Sequence, residues 1–169
     1  LGIHLFQKLF ALIKAKILMI KINVITTHAG WRRHIKNPNN FIDKKINIYN
    51  KKNKTFKKNI IFCTLLLSGN KEIKKLNQKF RKKNKSTDVL SFPFYKKKEL
   101  ARRLKKEKEV YLGDIIINLS KIKYKKNISN FKSEFNTLWI HGLVHLFGYD
   151  HKRKVDYIKM KIVEKKFLN

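Results

Sequence analysis

Phe131–His151, FKSEFNTLWIHGLVHLFGYDH, is the stretch on which the fold turns. Phe131, Phe135, Leu138, Trp139, Leu143, Val144, Leu146 and Phe147 recur at steps of three and four, the spacing of a helix with one buried face. His141 and His145 lie one turn apart on that helix. Residues at i and i+4 project from the same side, so both imidazoles can reach one metal ion without backbone distortion. Gly148 can take a left-handed conformation at little cost, which ends the helix and brings His151 back toward the other two. The spacing predicts a three-histidine metal site on a helix in the C-terminal half and the turn after it.

H-x-x-x-H-x-x-G-x-x-H is also the spacing of metzincin proteases, whose first histidine is followed by a glutamate that activates water. Here that position is Gly142. Three histidines leave a fourth coordination position for water, which bound zinc acidifies to a pKa of about 7. The missing glutamate matters more for peptides, because a leaving amine must be protonated, whereas a phosphodiester chiefly needs its developing negative charge offset. Phosphodiester hydrolysis therefore fits better. A lone histidine on an apolar helix is usually a core residue bonded to a carbonyl, and a pair can arise by chance. The glycine turn and the third histidine together argue against that simpler account.

Outward from this stretch, helices and strands interleave. Met19–Thr26 alternates as a strand, and residues from Thr27 to Lys58 suggest helix broken at Pro38. Ile60–Ser68, IIFCTLLLS, is a continuous apolar run and reads as a buried strand. Asn70 is expected to cap a helix with Ile73, Leu76 and Phe80 inward. Thr87–Phe94, TDVLSFPF, and Val110–Leu119, VYLGDIIINL, complete a four-stranded sheet, with Gly113 a candidate bulge. Tyr95–Glu109 is so charged that it is expected to be a solvated excursion, and Val155, Ile158, Ile162, Val163 and Phe167 give a terminal amphipathic helix. The economical solution is an α+β or α/β layering of helices on that sheet.

The 169 residues allow one domain, and a composition 43% hydrophobic and 12% aromatic supports a folded core. Net charge is +31, from 42 basic against 11 acidic residues, so a polyanion is the obvious partner. Lysine is accompanied by abundant asparagine and isoleucine, a mix that A+T-rich coding alone can produce, and charge by itself does not identify RNA. Cys63 is the one cysteine, which excludes an internal disulfide framework and suits a reducing cytoplasm. Residues 1–18 are apolar but broken by Lys8, Lys14 and Lys16, too interrupted to span a membrane. They also lack the layout of a secretory signal. They are expected to be an upstream extension to a domain covering 19–169; an amphipathic membrane-surface helix is the alternative.

HGLVHLFGYDH, with TDVLSFPF and YLGDIIIN upstream in the same order, resembles the YbeY family of bacterial metal-dependent endoribonucleases, also called rRNA maturation factors. The similarity covers roughly Met19 to Leu168. It implies a single α+β domain that binds one zinc ion through His141, His145 and His151. It further implies cleavage of single-stranded RNA in 3′-end maturation of small-subunit ribosomal RNA and in ribosome quality control. Single-stranded RNA, ribosomal RNA and the small ribosomal subunit are thus the expected partners, with a monomer, a cytoplasmic location and no stable membrane association. The resemblance also carries over Arg81, the basic position before the TDVLSFPF strand. This chain departs from the family in that loop, having Lys82 and Ser86 where glycine and proline are usual.

Arg81 and His141 are the catalytic candidates. Arginine offers a planar fork that pairs with two phosphate oxygens, and Arg81 sits in a basic cluster, RKKNK. Read without the family, it could equally be a solvated surface arginine. Asp88 and Asp114 are possible partners that orient a histidine ring or assist the attacking water, while Asp150 is expected to hold the turn at His151. A zinc peptidase and a non-catalytic RNA-binding assembly factor with a structural metal are the competing readings.

Overall fold

A computed structural model of the protein describes residues 18–52 and 59–168. The expected extension therefore lies outside the described residues, apart from Leu18, which opens the first strand. Strands β1 (Leu18–Thr26), β2 (Asn59–Ser68), β3 (Val89–Pro93) and β4 (Glu109–Asn118) form one sheet in the order β1-β2-β4-β3. β1, β2 and β4 run parallel, because helical crossovers separate them in sequence, and β3 pairs antiparallel with β4 at the edge. Pro93 ends that edge strand, where a missing N–H is tolerated. Among the described residues, five α-helices complete a single α+β domain: α1 (Pro38–Lys52), α2 (Asn70–Arg81), α3 (Lys97–Lys106), α4 (Ile128–Leu146) and α5 (Lys154–Leu168).

Helix α4 carries Phe131, Phe135, Trp139, Leu143, Val144 and Leu146 into the main core, as the periodicity requires. Asn127 caps it by accepting from the Asn130 N–H at 3.0 Å. It packs over β3 and β4, with α5 beside it and α1 over β1. On this face Ile20, Ile22 and Val24 of β1 and Ile61, Cys63, Leu65 and Leu67 of β2 are all buried. Gly142 faces Ile115 and Ser91 so closely that a Cβ there would stand 2.5 Å from Ile115 Cγ2. The helix is pressed flat on the sheet at the turn that bears His141.

The bulge expected at Gly113 is present: the β2/β4 register shifts between Phe62 and Cys63, which face Tyr111 and Gly113, so Leu112 is the extra residue. Gly113 has φ 127°, and a Cβ on it would fall 2.1 Å from the Phe92 carbonyl oxygen, so no other residue fits.

Four readings from the sequence need correction. Tyr95–Glu109 is not a solvated excursion, because Lys97–Lys106 forms α3 and buries Leu100 and Leu104, spaced i and i+4 on one face. Its charges pair along the helix, Arg102 and Arg103 with Glu99 and Arg103 with Glu107, which is why so polar a segment holds a helix. Asn70 is not the cap of α2; Gly69 is, and Asn70 Oδ1 instead accepts from Asn118 Nδ2 at 3.1 Å. Phe80 points outward, and the buried positions of α2 are Ile73 and Asn77. In α5 the exposed stripe is Val155, Ile158 and Ile162, while Met160, Val163 and Glu164 face inward.

Candidate metal centre

His141 and His145 lie in the last two turns of α4, and Gly148, at φ 80°, reverses the chain after it. The Gly148 N–H donates to the His145 carbonyl at 2.8 Å and the Tyr149 N–H to that of Val144 at 3.3 Å, which closes the helix and fixes the turn. The His151 N–H donates to Asp150 Oδ1 at 2.8 Å, so Asp150 serves the local turn. The three imidazoles converge, each with a ligand atom within 4.8 Å of the others. Ring centroids lie 4.6 Å apart for His141 and His145, 5.4 Å for His141 and His151, and 5.1 Å for His145 and His151.

The outer nitrogens of the two helical histidines are engaged. His141 Nδ1 lies 2.7 Å from Glu164 Oε1, and His145 Nδ1 lies 2.9 Å from the Tyr149 carbonyl oxygen. Each of those acceptors calls for a proton on Nδ1, which leaves Nε2 of both rings as a bare lone pair. Those two Nε2 atoms face one another at 3.1 Å. That spacing suits either a proton shared between the rings or a metal ion bound by both, so the residues present fit a metal ion. Burial, and then the neighbouring His141, lower the pKa of His145, which favours the neutral form that a metal needs.

Glu164 was not foreseen from the sequence. It is 4% exposed, on the inner face of α5 between Val163 and the end of the helix. Burial acts to raise its pKa, but hydrogen bonds from Lys161 (2.7 Å) and His141 outweigh this and hold it below its usual value. A carboxylate in the heptad-like run Met160, Val163, Glu164, Phe167 was the available signal, hidden by the competing apolar stripe at Val155, Ile158 and Ile162. Neither aspartate considered earlier takes this role. Asp88 accepts from Thr87 Oγ1 and the Val89 N–H, a local turn contact. Asp114 accepts from the Tyr111 hydroxyl and alternates with Ile115, so it lies on the sheet face away from α4.

Arg81 ends α2. Its Nη2 donates to the Ser91 carbonyl at 3.1 Å, and its guanidinium lies 5.9 Å from the Phe92 ring centroid. Together with Ser91, Phe94, His145, Gly148 and His151 it lines one cleft of about 960 Å³. Lys83, Lys96, Lys97 and Lys152 stand around the same cleft, so its walls are strongly basic. The loop after Arg81 keeps a tight turn without the glycine: Lys82 itself takes the left-handed conformation, at φ 57°. Asn77 Nδ2 donates to the Lys85 carbonyl at 2.6 Å and ties the loop back to α2. At Gly142 the sheet leaves no space for the glutamate a metzincin peptidase would place there. Among the described residues, no helix is long and apolar enough to cross a membrane.

The family model of endoribonuclease YbeY matches residues 26–169, beginning somewhat later than the expected Met19. The endoribonuclease YbeY of Pelagibacter ubique is 44% identical over 84% of this chain and 90% of its own. That of Ehrlichia canis is 34% identical over 89% of this chain and 92% of its own. A solution structure of a Thermotoga maritima protein aligns over 87% of this chain and 89% of that chain, with a TM-score of 0.47 and 24% identity. With residues 26–169 matched by the family model and relatives of similar length covered over most of their own, the chain belongs to the endoribonuclease YbeY family.

Proposed function

We propose that this protein is a metal-dependent endoribonuclease that cuts single-stranded RNA. Its expected setting is 3′-end maturation of small-subunit ribosomal RNA and ribosome quality control. The observation that carries the proposal is the convergence of His141, His145 and His151 at the edge of a cleft walled by Arg81 and four lysines. His141 and His145 would hold the ion through Nε2, with His151 as third ligand, and zinc suits three imidazoles. When bound, such an ion supplies Lewis-acid charge and makes water more acidic.

The chain's own residues supply the rest. Glu164 and the Tyr149 carbonyl hold the His141 and His145 rings in the tautomer that presents Nε2, so the ligand set is oriented before any ion arrives. The lysines draw the RNA backbone into the cleft by displacing its condensed counterions. Arg81, braced by the Ser91 carbonyl, presents its remaining N–H groups toward the cleft, where they stabilise negative charge growing on non-bridging oxygens. A groove open to solvent, in which Phe94, Tyr95 and Tyr149 stand among the cations, suits an extended single strand with unstacked bases in place of a duplex.

The test joins metal analysis to RNA cleavage. Purified protein is expected to hold one ion per chain and to cleave single-stranded RNA. His141→Ala is expected to lose both the ion and cleavage while still binding RNA. Wild-type cleavage by His141→Ala, or by protein stripped of metal, would sink the proposal. Loss of RNA binding together with the ion in that variant would favour a structural metal instead.

A further inference from the structure

The sheet face away from α4 is only partly covered. Among the described residues α2 packs on it over the small cluster Ile73, Leu90 and Ile116, and the rest of the face carries aromatic rings that remain in solvent. Phe62 is 39% exposed and Phe94 63% exposed. Water contact on so much aromatic surface is unfavourable, and a contiguous patch of it marks a binding site more often than chance does.

The rings form a line that starts at the cleft. Phe94 belongs to the cleft wall, and its backbone N–H donates to the Leu112 carbonyl at 2.8 Å, which holds it beyond the end of β3. Its ring meets Tyr111 edge to face at 5.6 Å, and Tyr111 meets Phe62 at 5.3 Å. The line thus crosses from β3 over β4 to β2. Tyr111 is fixed at its centre, for its hydroxyl donates to Asp114 Oδ1 at 2.5 Å and lies 3.2 Å from Thr64 Oγ1. Rings so held can stack on a ligand with little further loss of freedom.

Cations flank both ends. Lys21 on β1 is in register with Phe62 and exposed on the same face, since its neighbours Ile20 and Ile22 are buried on the other. Arg81 and Lys79 lie over the Phe92 and Phe80 rings at the α2 side. Glu109 and Asp114 are the carboxylates of the β4 part of this face, and Asp114 is occupied by Tyr111. A ligand with flat apolar faces joined by regularly spaced negative charges matches aromatic rings between cations, and that description fits single-stranded nucleic acid.

We propose that Phe94, Tyr111 and Phe62 form a stacking platform that carries single-stranded RNA out of the metal cleft and across the open sheet face. The platform rests on the ribonuclease reading for its ligand, but it adds a second contact region that recognises bases by their π-faces and so is tolerant of sequence. Two or three aromatic residues on a sheet suffice to stack as many bases. Its effect is to favour substrates long enough to reach from the cleft to β2.

The test measures binding of phosphorothioate-linked oligouridylates, which resist hydrolysis, to the full chain by fluorescence anisotropy. One probe is about twelve nucleotides long and the other about four, the range spanned by single-strand sites. Phe62→Ala is expected to weaken the long probe about five- to hundred-fold, the usual effect of removing one stacking ring, and to change the short probe less than about twofold. Its salt dependence should keep the wild-type slope, because no phosphate contact is lost. Phe62→Trp should retain the affinity, and melting curves of each variant verify the fold. Wild-type affinity for the long probe in both Phe62→Ala and the Phe62→Ala, Phe94→Ala double variant would overturn the platform and leave this face to a protein partner. That result leaves cleavage untouched. If wild type neither binds the probes nor cleaves unmodified RNA, the ribonuclease reading fails and the platform with it.

Discussion

The two faces of the sheet are built from strands of similar apolar content and do different work. The face under α4, α1 and α5 is continuous: Ile61, Cys63, Leu65 and Leu67 of β2 and Val110, Leu112, Ile115 and Ile117 of β4 are each at most 1% exposed. The opposite face has one small cluster under α2 and then open rings. Close packing on the first makes a rigid base, and His141 and His145 stand on it at the end of a helix held flat by Gly142. Rigidity is what a metal site needs, since its ligands must be in place before the ion. Openness is what a long flexible ligand needs. The molecule separates the two requirements by putting them on opposite sides of one sheet, with the cleft at the seam.

Substitutions should expose that division. The largest effect is expected at Phe135, fully buried against Trp31: Phe135→Ala should lower the unfolding free energy by about 3–5 kcal/mol in denaturant titration. Phe80→Ala, on the outer side of the helix that partly covers the opposite face, should cost under about 1 kcal/mol by the same measurement, because Phe80 is 57% exposed. Equal losses at the two positions would erase the distinction between the faces.

At the seam, Arg81→Ala is expected to slow RNA cleavage about 10²–10³-fold at matched metal occupancy and salt, with metal content unchanged. Arg81→Lys should recover little, since a point charge does not reproduce a two-pronged contact. Near-normal turnover in Arg81→Ala would return this residue to the solvated basic surface. A smaller effect is expected behind the site. Glu164→Gln keeps the shape but loses the charge that orients His141, and metal affinity should fall about 10- to 100-fold in competition with a chelator. An unchanged affinity would mean that α5 merely packs against α4.

The smallest effect should be a gain. Lys82 holds φ 57° at the C-cap of α2, a region that disfavours any residue with a Cβ by about 1–2 kcal/mol. Lys82→Gly should therefore raise stability by about 1 kcal/mol in thermal or denaturant unfolding, while leaving the Asn77 tether in place. A loss of stability would show that the lysine side chain contributes more to the loop than its backbone strain removes.

The sequence alone determined whatever depends on a few consecutive residues. The i, i+4 histidines, the turn at Gly148 and the bulge at Gly113 are local geometry, because helix pitch and the steric limits on φ are the same in any fold. The buried face of α4 was legible for the same reason, its apolar stripe having no rival. Only the tertiary structure decided between faces where two patterns competed. In α5, Val155, Ile158 and Ile162 are as apolar as Met160, Val163 and Phe167, and it is contact with α4 that turns the second stripe inward and brings Glu164 to His141. Likewise Leu100 and Leu104 could not be told from decoration on a charged loop until the rest of the core offered them a place. In β2, Phe62 alternates with Ile61 and Cys63, and nothing in that run says which side a helix will cover. Burial is a property of what arrives from elsewhere in the chain, and no window of neighbouring residues contains it.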